Sequence, residues 1–577
     1  MSPDNRNMIA AMTLSLAILV FWQLFFVEPE LEADRTAAIE AQQSQQLDAE
    51  GRPLPAQSAG LPSVAEPVDE AVVNAPRLVI DAPLIKGSLS LMGGRIDDII
   101  LPAYQQTQEA DAQAVRLLRK LDDSLPYFAE FGWVGSADSA QNMPDEASIW
   151  SASHSVLSPD QPVTLSWSNG TGLAFERIIT VNDDYLITIT DKVRSDLDTQ
   201  ISLNPYGLVR RHGTPQTLGM YILHEGPLGV FDETLSEQDY SDLQEAGRDG
   251  ISYATQTNGG WVGFTDKYWL AALIPSQMEN VDFSMRALSG AQPRYQTDYL
   301  GQTMMLPAGG EISWSASLFA GAKKVDLLDK YADELGIKNF DLAIDFGWFY
   351  FLTKPFFYAL TWIHSMVGNF GVAIIVFTIL MRLAMYPLAS KSYRSMGKMR
   401  ELAPQIQAMR EAAGDDRTKL NQDMMALYRK EKVNPAAGCL PILLQIPIFF
   451  ALYKVLYVSI EMRHAPFFGW IQDLSAVDPT SIFNLFGLLP YSVDMLPQFL
   501  SIGIWPIAMG ITMHLQMRMN PPPPDPIQAK IFQYMPIFFT FLLAGFPAGL
   551  VIYWTWNNLL SIAQQWWITY SMKKEKK

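Results

Sequence analysis

The chain has 577 residues, 49% of them apolar, and a net charge of −18 from 60 acidic and 42 basic side chains. The charge is divided rather than spread: residues 28–345 hold 47 Asp and Glu against 21 Lys and Arg, a net of −26, and the remainder holds 13 against 21, a net of +8. That division argues for parts in different compartments, and the single cysteine, Cys439, excludes an internal disulfide or a cysteine-built zinc site.

After a short N-terminus (1–7), residues 8–27 (MIAAMTLSLAILVFWQLFFV) form an apolar run of the length a bilayer needs. Arg6 precedes it, and Glu28, Glu30, Glu32 and Asp34 follow, so positive-inside bias places the N-terminus in the cytoplasm. The next stretch, EPELEADR, lacks the small-residue pattern of a signal-peptidase site, so the run reads as an uncleaved anchor. Residues 28–75 are rich in Ala, Gln, Glu and Pro; they cannot bury enough apolar area to offset chain entropy and read as a flexible periplasmic tether.

From 76 to 320 the pattern changes to short alternating runs separated by turn residues, among them RLVIDAP, GSLSLMGGRIDDIILPAY, PVTLSWSNGTG, FERIITVNDDYLITITDKV and GEISWSASLFAG. These predict a large all-β antiparallel sandwich. The segment 321–364 connects it to the membrane. Val325, Leu328, Tyr331 and Leu335 share one helical face, and DFGWFYFLTKPFFYALTWIH (345–364), interrupted by Pro355, suits a helix in the outer membrane interface.

Residues 365–389 then cross inward and end at Lys391, Arg394, Lys398 and Arg400. A cytoplasmic helical hairpin is predicted over 390–436. Met396, Met399, Leu402, Ile406 and Met409 make one apolar seam; Leu420, Met424 and Leu427 make a second, across Gly414-Asp415-Asp416. Four further spans follow at 437–460, 498–518, 531–546 and 547–570, with 461–497 outside. The loop 519–530 (PPPPDP between Arg518 and Lys530) and the basic tail 571–577 fall in the cytoplasm. The expected fold class is a multi-domain inner-membrane protein. Its all-α, six-span part comprises a five-helix core and the N-terminal anchor, and both chain ends are cytoplasmic.

Arg382, in FGVAIIVFTILMRLAMYPLASK, is the most informative residue, because the next charge is Lys391. Nine residues of helix place it roughly 13 Å inside the boundary. A cation there costs about 2.5–3.5 kcal/mol to insert and should face a wet cavity or a partner; the alternative is snorkelling to the headgroups. No acidic residue inside the other spans stands ready to neutralise it, which favours water or a visiting anion. Thr378 lies one turn away, and Gln445 sits among Pro441 and Pro447. Trp554, Asn558, Ser561 and Gln565 fall at i, i+4, i+7 and i+11, a single helical stripe, to be read as cavity lining or as hydrogen-bonding glue between helices. Phosphate-loop, zinc-protease and serine-elbow signatures are absent, and His154, His212 and His224 show no metal spacing, so neither enzyme activity nor cofactor nor metal is expected.

The stretches FGVAIIVFTILMRLAMYPL, KMRELAPQIQAMRE, MMALYRKEKVNPAAGCLPILLQIPIFFALY and FPAGLVIYWTWNNLLSIAQQ together resemble the core of the YidC/Oxa1/Alb3 family of membrane protein insertases. GGRIDDIILPAY and GGWVGFTDKYWLAALIP resemble the periplasmic domain of its Gram-negative branch. The resemblance implies a hydrophilic groove open to cytoplasm and lipid but closed outside. Its charge falls on Arg382, its neighbouring polar position on Thr378, and its last-span aromatic on Trp554, beside Tyr553. It also implies a periplasmic supersandwich like that of sugar mutarotases. Implied partners are nascent membrane proteins, the Sec translocon with its accessory subunits, the ribosome and signal recognition particle pathway, and membrane lipids, with no specific nucleic-acid binding. Two other classes fit less well. A secondary transporter should show internal repeats, and a membrane-tethered periplasmic carbohydrate enzyme leaves the hairpin and Arg382 unexplained.

Overall fold

The computed structural model describes residues 74–575 except 110, 136–142, 218–222, 247–250, 289–291, 415–416, 432, 434–439, 490–501 and 521–525. The expectations for the anchor (8–27), the tether as far as 73, Cys439 and the proline run 521–524 therefore lie outside the described residues. What is described falls into two compact units, one ending at Ala343 and the other beginning at Ile344.

The first unit is built from strands whose side chains alternate in and out, as the sequence pattern requires. In Leu173–Val181, every second residue from Leu173 is buried. The strands form two sheets. One has eleven strands and runs from Ile251–Asn258 at one edge through Arg294–Gly301, Ile201–His212, Tyr127–Gly135 and Arg95–Gln105 to Val156–Leu157 at the other. The second has nine and is centred on Trp269–Pro275, Glu311–Ala322, Leu186–Ser195 and Leu173–Val181. The sheets pack face to face as a sandwich: Tyr299 of the first meets Trp314 of the second at 6.4 Å between ring centroids, and Tyr127 meets Phe264 at 6.1 Å.

The core also buries charged side chains, Arg177 among them. Arg177 is 2% exposed and forms a bidentate pair with Asp191, its register partner in the next strand, at 2.7 and 2.9 Å. It also donates to the carbonyl of Phe131 (2.6 Å) in the opposite sheet and to that of Gly94 (3.3 Å), in the turn that leads into Arg95–Gln105, so one guanidinium ties the two sheets together. Helix α1 (Tyr240–Glu245) lies within the sandwich sequence, and α2 (Val325–Leu335) closes it. Val325, Leu328 and Tyr331 of α2 are buried as expected; Leu335 is 48% exposed, because the helix stops at Gly336 in the left-handed conformation.

The second unit is helical: α3 (Tyr350–Val367), α4 (Phe370–Ala384), α5 (Tyr386–Ala413), α6 (Arg417–Lys430), α7 (Leu440–Val458), α8 (Ile504–Met519), α9 (Pro526–Leu543) and α10 (Ala548–Glu575). Pro355 sits inside α3 and does not break it; the break comes at Gly368, left-handed at φ 71°, with the Asn369 side chain capping α4. No single described helix is long and apolar enough to cross a membrane, but α3 and α4 pass that test together, as a pair bent by 119°. Helices α5 and α6 pack against each other. Leu402 of α5 clusters with Leu427, Tyr428 and Val433, and Met399, Ile406, Met409 and Met424 pack around them. Met396 leaves that seam and packs with Ala389 and Tyr393 against Ile568 of α10.

On the other side of this unit, the segment 465–481 holds the starts of three helices. Pro466 O accepts from Asn369 Nδ2 (3.1 Å) at the head of α4, and the Phe467 ring lies where a side chain at Gly371 would stand. The carbonyls of Leu474 and Ala476 accept from Gly549 and Ala548 at the head of α10. Asp478, 5% exposed, accepts from Trp470 Nε1, Thr480 N and Thr480 Oγ1, and from the backbone N–H of Trp505 at the head of α8. A carboxylate at a helix N-terminus satisfies orphan donors and complements the dipole.

Candidate functional site

Arg382 lies in the last turn of α4, where a cation complements the helix dipole, and it is half-buried. Its hydrogen bonds go to α10. Its Nε and Nη2 donate to Asn557 Oδ1 at 2.9 and 2.7 Å, and Nη2 donates to Ser561 Oγ at 2.6 Å. Ser561 in turn donates to Asn557 O at 2.7 Å. Every partner is neutral, and among the described residues no carboxylate pairs with the guanidinium.

Arg382 and Asn557 border a partly open recess between α4, α7, α10 and the start of α5. Thr378, Gln445, Tyr553, Asn557 and Arg382 are its polar lining, and Phe377, Met381, Met385 and Ile448 part of its apolar lining. Gln445 Nε2 donates to Tyr553 OH at 2.6 Å, which joins α7 to α10 across the recess. The Thr378 hydroxyl is spent on its own helix, donating to Ile374 O at 2.6 Å. Unpaired donors facing such a space can hold water or an anion, and the methionine-rich lining can accommodate varied apolar surface.

Of the eight residues singled out from the sequence, Arg382, Thr378, Gln445 and Tyr553 come together at the recess, with Ser561 on Arg382. The stripe read along the last helix divides. Trp554 packs against Phe449 (4.6 Å) and Phe539 (5.6 Å). Asn558 donates to Thr512 Oγ1 of α8 (3.2 Å), and Gln565 to Met519 O and Asn520 Oδ1. These three are interhelical contacts: α8 and its C-cap cover Asn558 and Gln565, and rings of α7 and α9 cover Trp554. The row that meets Arg382 is Tyr553, Asn557 and Ser561, at i, i+4 and i+8. Asn557 was the residue missed. Its spacing from Ser561 was visible, but nothing in the sequence marks which of two adjacent polar rows faces α4.

The family models and the sequence relatives point to one family. Residues 77–359 match the YidC periplasmic domain, and 362–576 match the 60Kd inner membrane protein family. The membrane protein insertase YidC of Granulibacter bethesdensis is 49% identical over 98% of this chain and 97% of its own length. That of Methylobacterium nodulans is 48% identical over 98% and 95%. A crystal structure of an active YidC insertase with its first transmembrane domain resolved has a TM-score of 0.34 and 18% identity, covering 85% of this chain and 92% of that one.

Proposed function

The chain belongs to the YidC family of inner-membrane protein insertases, and on that premise we propose that the Arg382 recess is where it receives its substrates. The observation that carries this reading is a cation held by neutral groups, in a partly open space lined by both polar and apolar side chains. A nascent segment's hydrophilic region enters from the cytoplasm and rests near Arg382, which spares its polar backbone and charges from hydrocarbon. The apolar helix that follows slides out along the lipid-facing sides of the core. Its transfer into lipid, with the membrane potential acting on acidic tails, drives release without a nucleotide.

The same reading places six spans at 8–27, 365–389, 437–460, 498–518, 531–546 and 547–570, with both termini in the cytoplasm. Helices α4, α7, α8, α9 and α10 occupy the last five of these segments. The sandwich corresponds to the family's periplasmic supersandwich. The α5–α6 hairpin, basic outside and methionine-lined within, receives substrate or contacts the ribosome, the signal recognition particle pathway or the Sec translocon and its accessory subunits.

The test is insertion of a short single-span protein into liposomes holding the purified protein, without nucleotide, read by protease protection. Wild type should insert it, Arg382→Ala should insert it poorly, and Arg382→Lys should retain most of the activity. Equal insertion by all three would reduce Arg382 to an anchor of α4.

A further inference from the structure

The guanidinium of Arg382 is hydrogen-bonded but not neutralised. Asn557 Oδ1 sits across the Nε–Nη2 edge, accepting from both nitrogens, which is the side-on seat a carboxylate takes on arginine. The occupant is instead a carboxamide, 8% exposed on α10. Among the described residues no Asp or Glu lines the recess. Nη1 has no protein acceptor among the described residues. A bond between a charged and a neutral group is weaker than one in which both partners are ionised, so a carboxylate arriving in the recess outcompetes Asn557, and a neutral side chain does not.

We infer that Asn557 is a specificity-determining placeholder: it holds Arg382 while the recess is empty and yields the Nε–Nη2 edge to a carboxylate in the hydrophilic region of a nascent segment. This rests on the reading of the recess as the receiving site. Ser561 serves both states, since it accepts from Nη2 and donates to the Asn557 carbonyl, and neither bond requires the carboxamide. The exchange is reversible, because the returning carboxamide displaces a carboxylate that the membrane potential is already pulling outward. A fixed carboxylate at 557 would give Arg382 a permanent counter-ion and close the site to acidic segments.

The experiment uses the full-length protein in liposomes and two single-span reporters that differ only in carrying two Asp or two Asn in the hydrophilic N-terminal region. Asn557→Asp should lower the ratio of acidic to neutral reporter inserted about tenfold, the factor by which an ionised partner outcompetes a neutral one. Asn557→Ala, which clears the edge without adding charge, should hold the acidic-to-neutral ratio at or above the wild-type value. Equal loss of both reporters in Asn557→Asp, no loss of either, or a fallen ratio in Asn557→Ala each overturns the placeholder. Arg382→Ala run alongside separates the two claims. If it inserts the acidic reporter normally, the receiving-site reading itself fails. If it is defective while Asn557→Asp is unselective, only the exchange fails.

Discussion

Removing the carboxylate of Asp191 should loosen the β-sandwich more than most single changes in it. Arg177 is 2% exposed, so burial alone would pull its guanidinium pKa down; Asp191, at 2.7 and 2.9 Å, more than reverses that and holds it above the ordinary arginine value. Asp191→Ala leaves a buried cation with two carbonyls and the Trp150 ring, 5.2 Å from the guanidinium carbon, and no counter-ion. Breaking such a pair costs about 3–5 kcal/mol, and the surviving carbonyl bonds to the other sheet argue for the lower figure, about 3. The double change Arg177→Met with Asp191→Leu removes both charges. Its main penalty is the loss of donors to the Phe131 and Gly94 carbonyls, about 1 kcal/mol each, partly offset by apolar packing. The ordering is therefore wild type, then double, then single. Hydrogen exchange in the full-length protein reads this locally, in Leu173–Val181 and Leu186–Ser195. About 3 kcal/mol corresponds to roughly a hundredfold faster exchange for the single variant. A single variant within threefold of wild type, or a double variant less protected than the single, would refute the reasoning.

Two further outcomes follow from buried ionisable groups. Burial, and then the charges of Arg210, Arg294 and Arg95, push the His212 imidazole down to about 3. In the unfolded chain it titrates near 6.5, so the unfolded state takes up the proton first. Stability present above about pH 6.5 is lost as pH falls toward 3, by up to roughly 1.4 kcal/mol per unit. His212→Phe, beside the Phe128 ring at 5.9 Å, should flatten that acid limb, and an identical limb in wild type and variant counts against it. Asp478→Ala removes the acceptor of the Trp505 N–H and of three other donors, at a cost of about 2 kcal/mol or more. Faster hydrogen exchange at the start of α8, with the middle of α5 unchanged, is the expected pattern; protection equal to wild type would show that the cap is dispensable.

Much of this architecture was legible because hydrophobic periodicity is local. The strands around Leu173–Val181 and Leu186–Ser195, and the Met399, Leu402, Ile406 and Met409 face of the hairpin, follow from which residues repeat every second or every third and fourth position. Arg382 was legible for the same reason: nothing charged lies within eight residues of it, so its cost had to be met elsewhere. Leu335 and Pro355 were misjudged because both depend on where a helix ends. Gly336 stops α2 before Leu335 can be covered, and α3 runs through Pro355 to Gly368 while packing on α4 and α7.

By itself, then, the sequence determined two units of different character, the family, and a lone cation among apolar residues on α4. Which groups answer that cation was decided only by the tertiary structure. On α10 the rows Tyr553–Asn557–Ser561 and Trp554–Asn558–Gln565 lie about 100° apart and are both polar, so periodicity cannot rank them. The choice is made by α8, which covers Asn558 and Gln565 of the second row through Thr512, Met519 and Asn520 and turns the first toward Arg382. A polar residue's role in a bundle depends on what packs against its face, and that is a property of three helices at once.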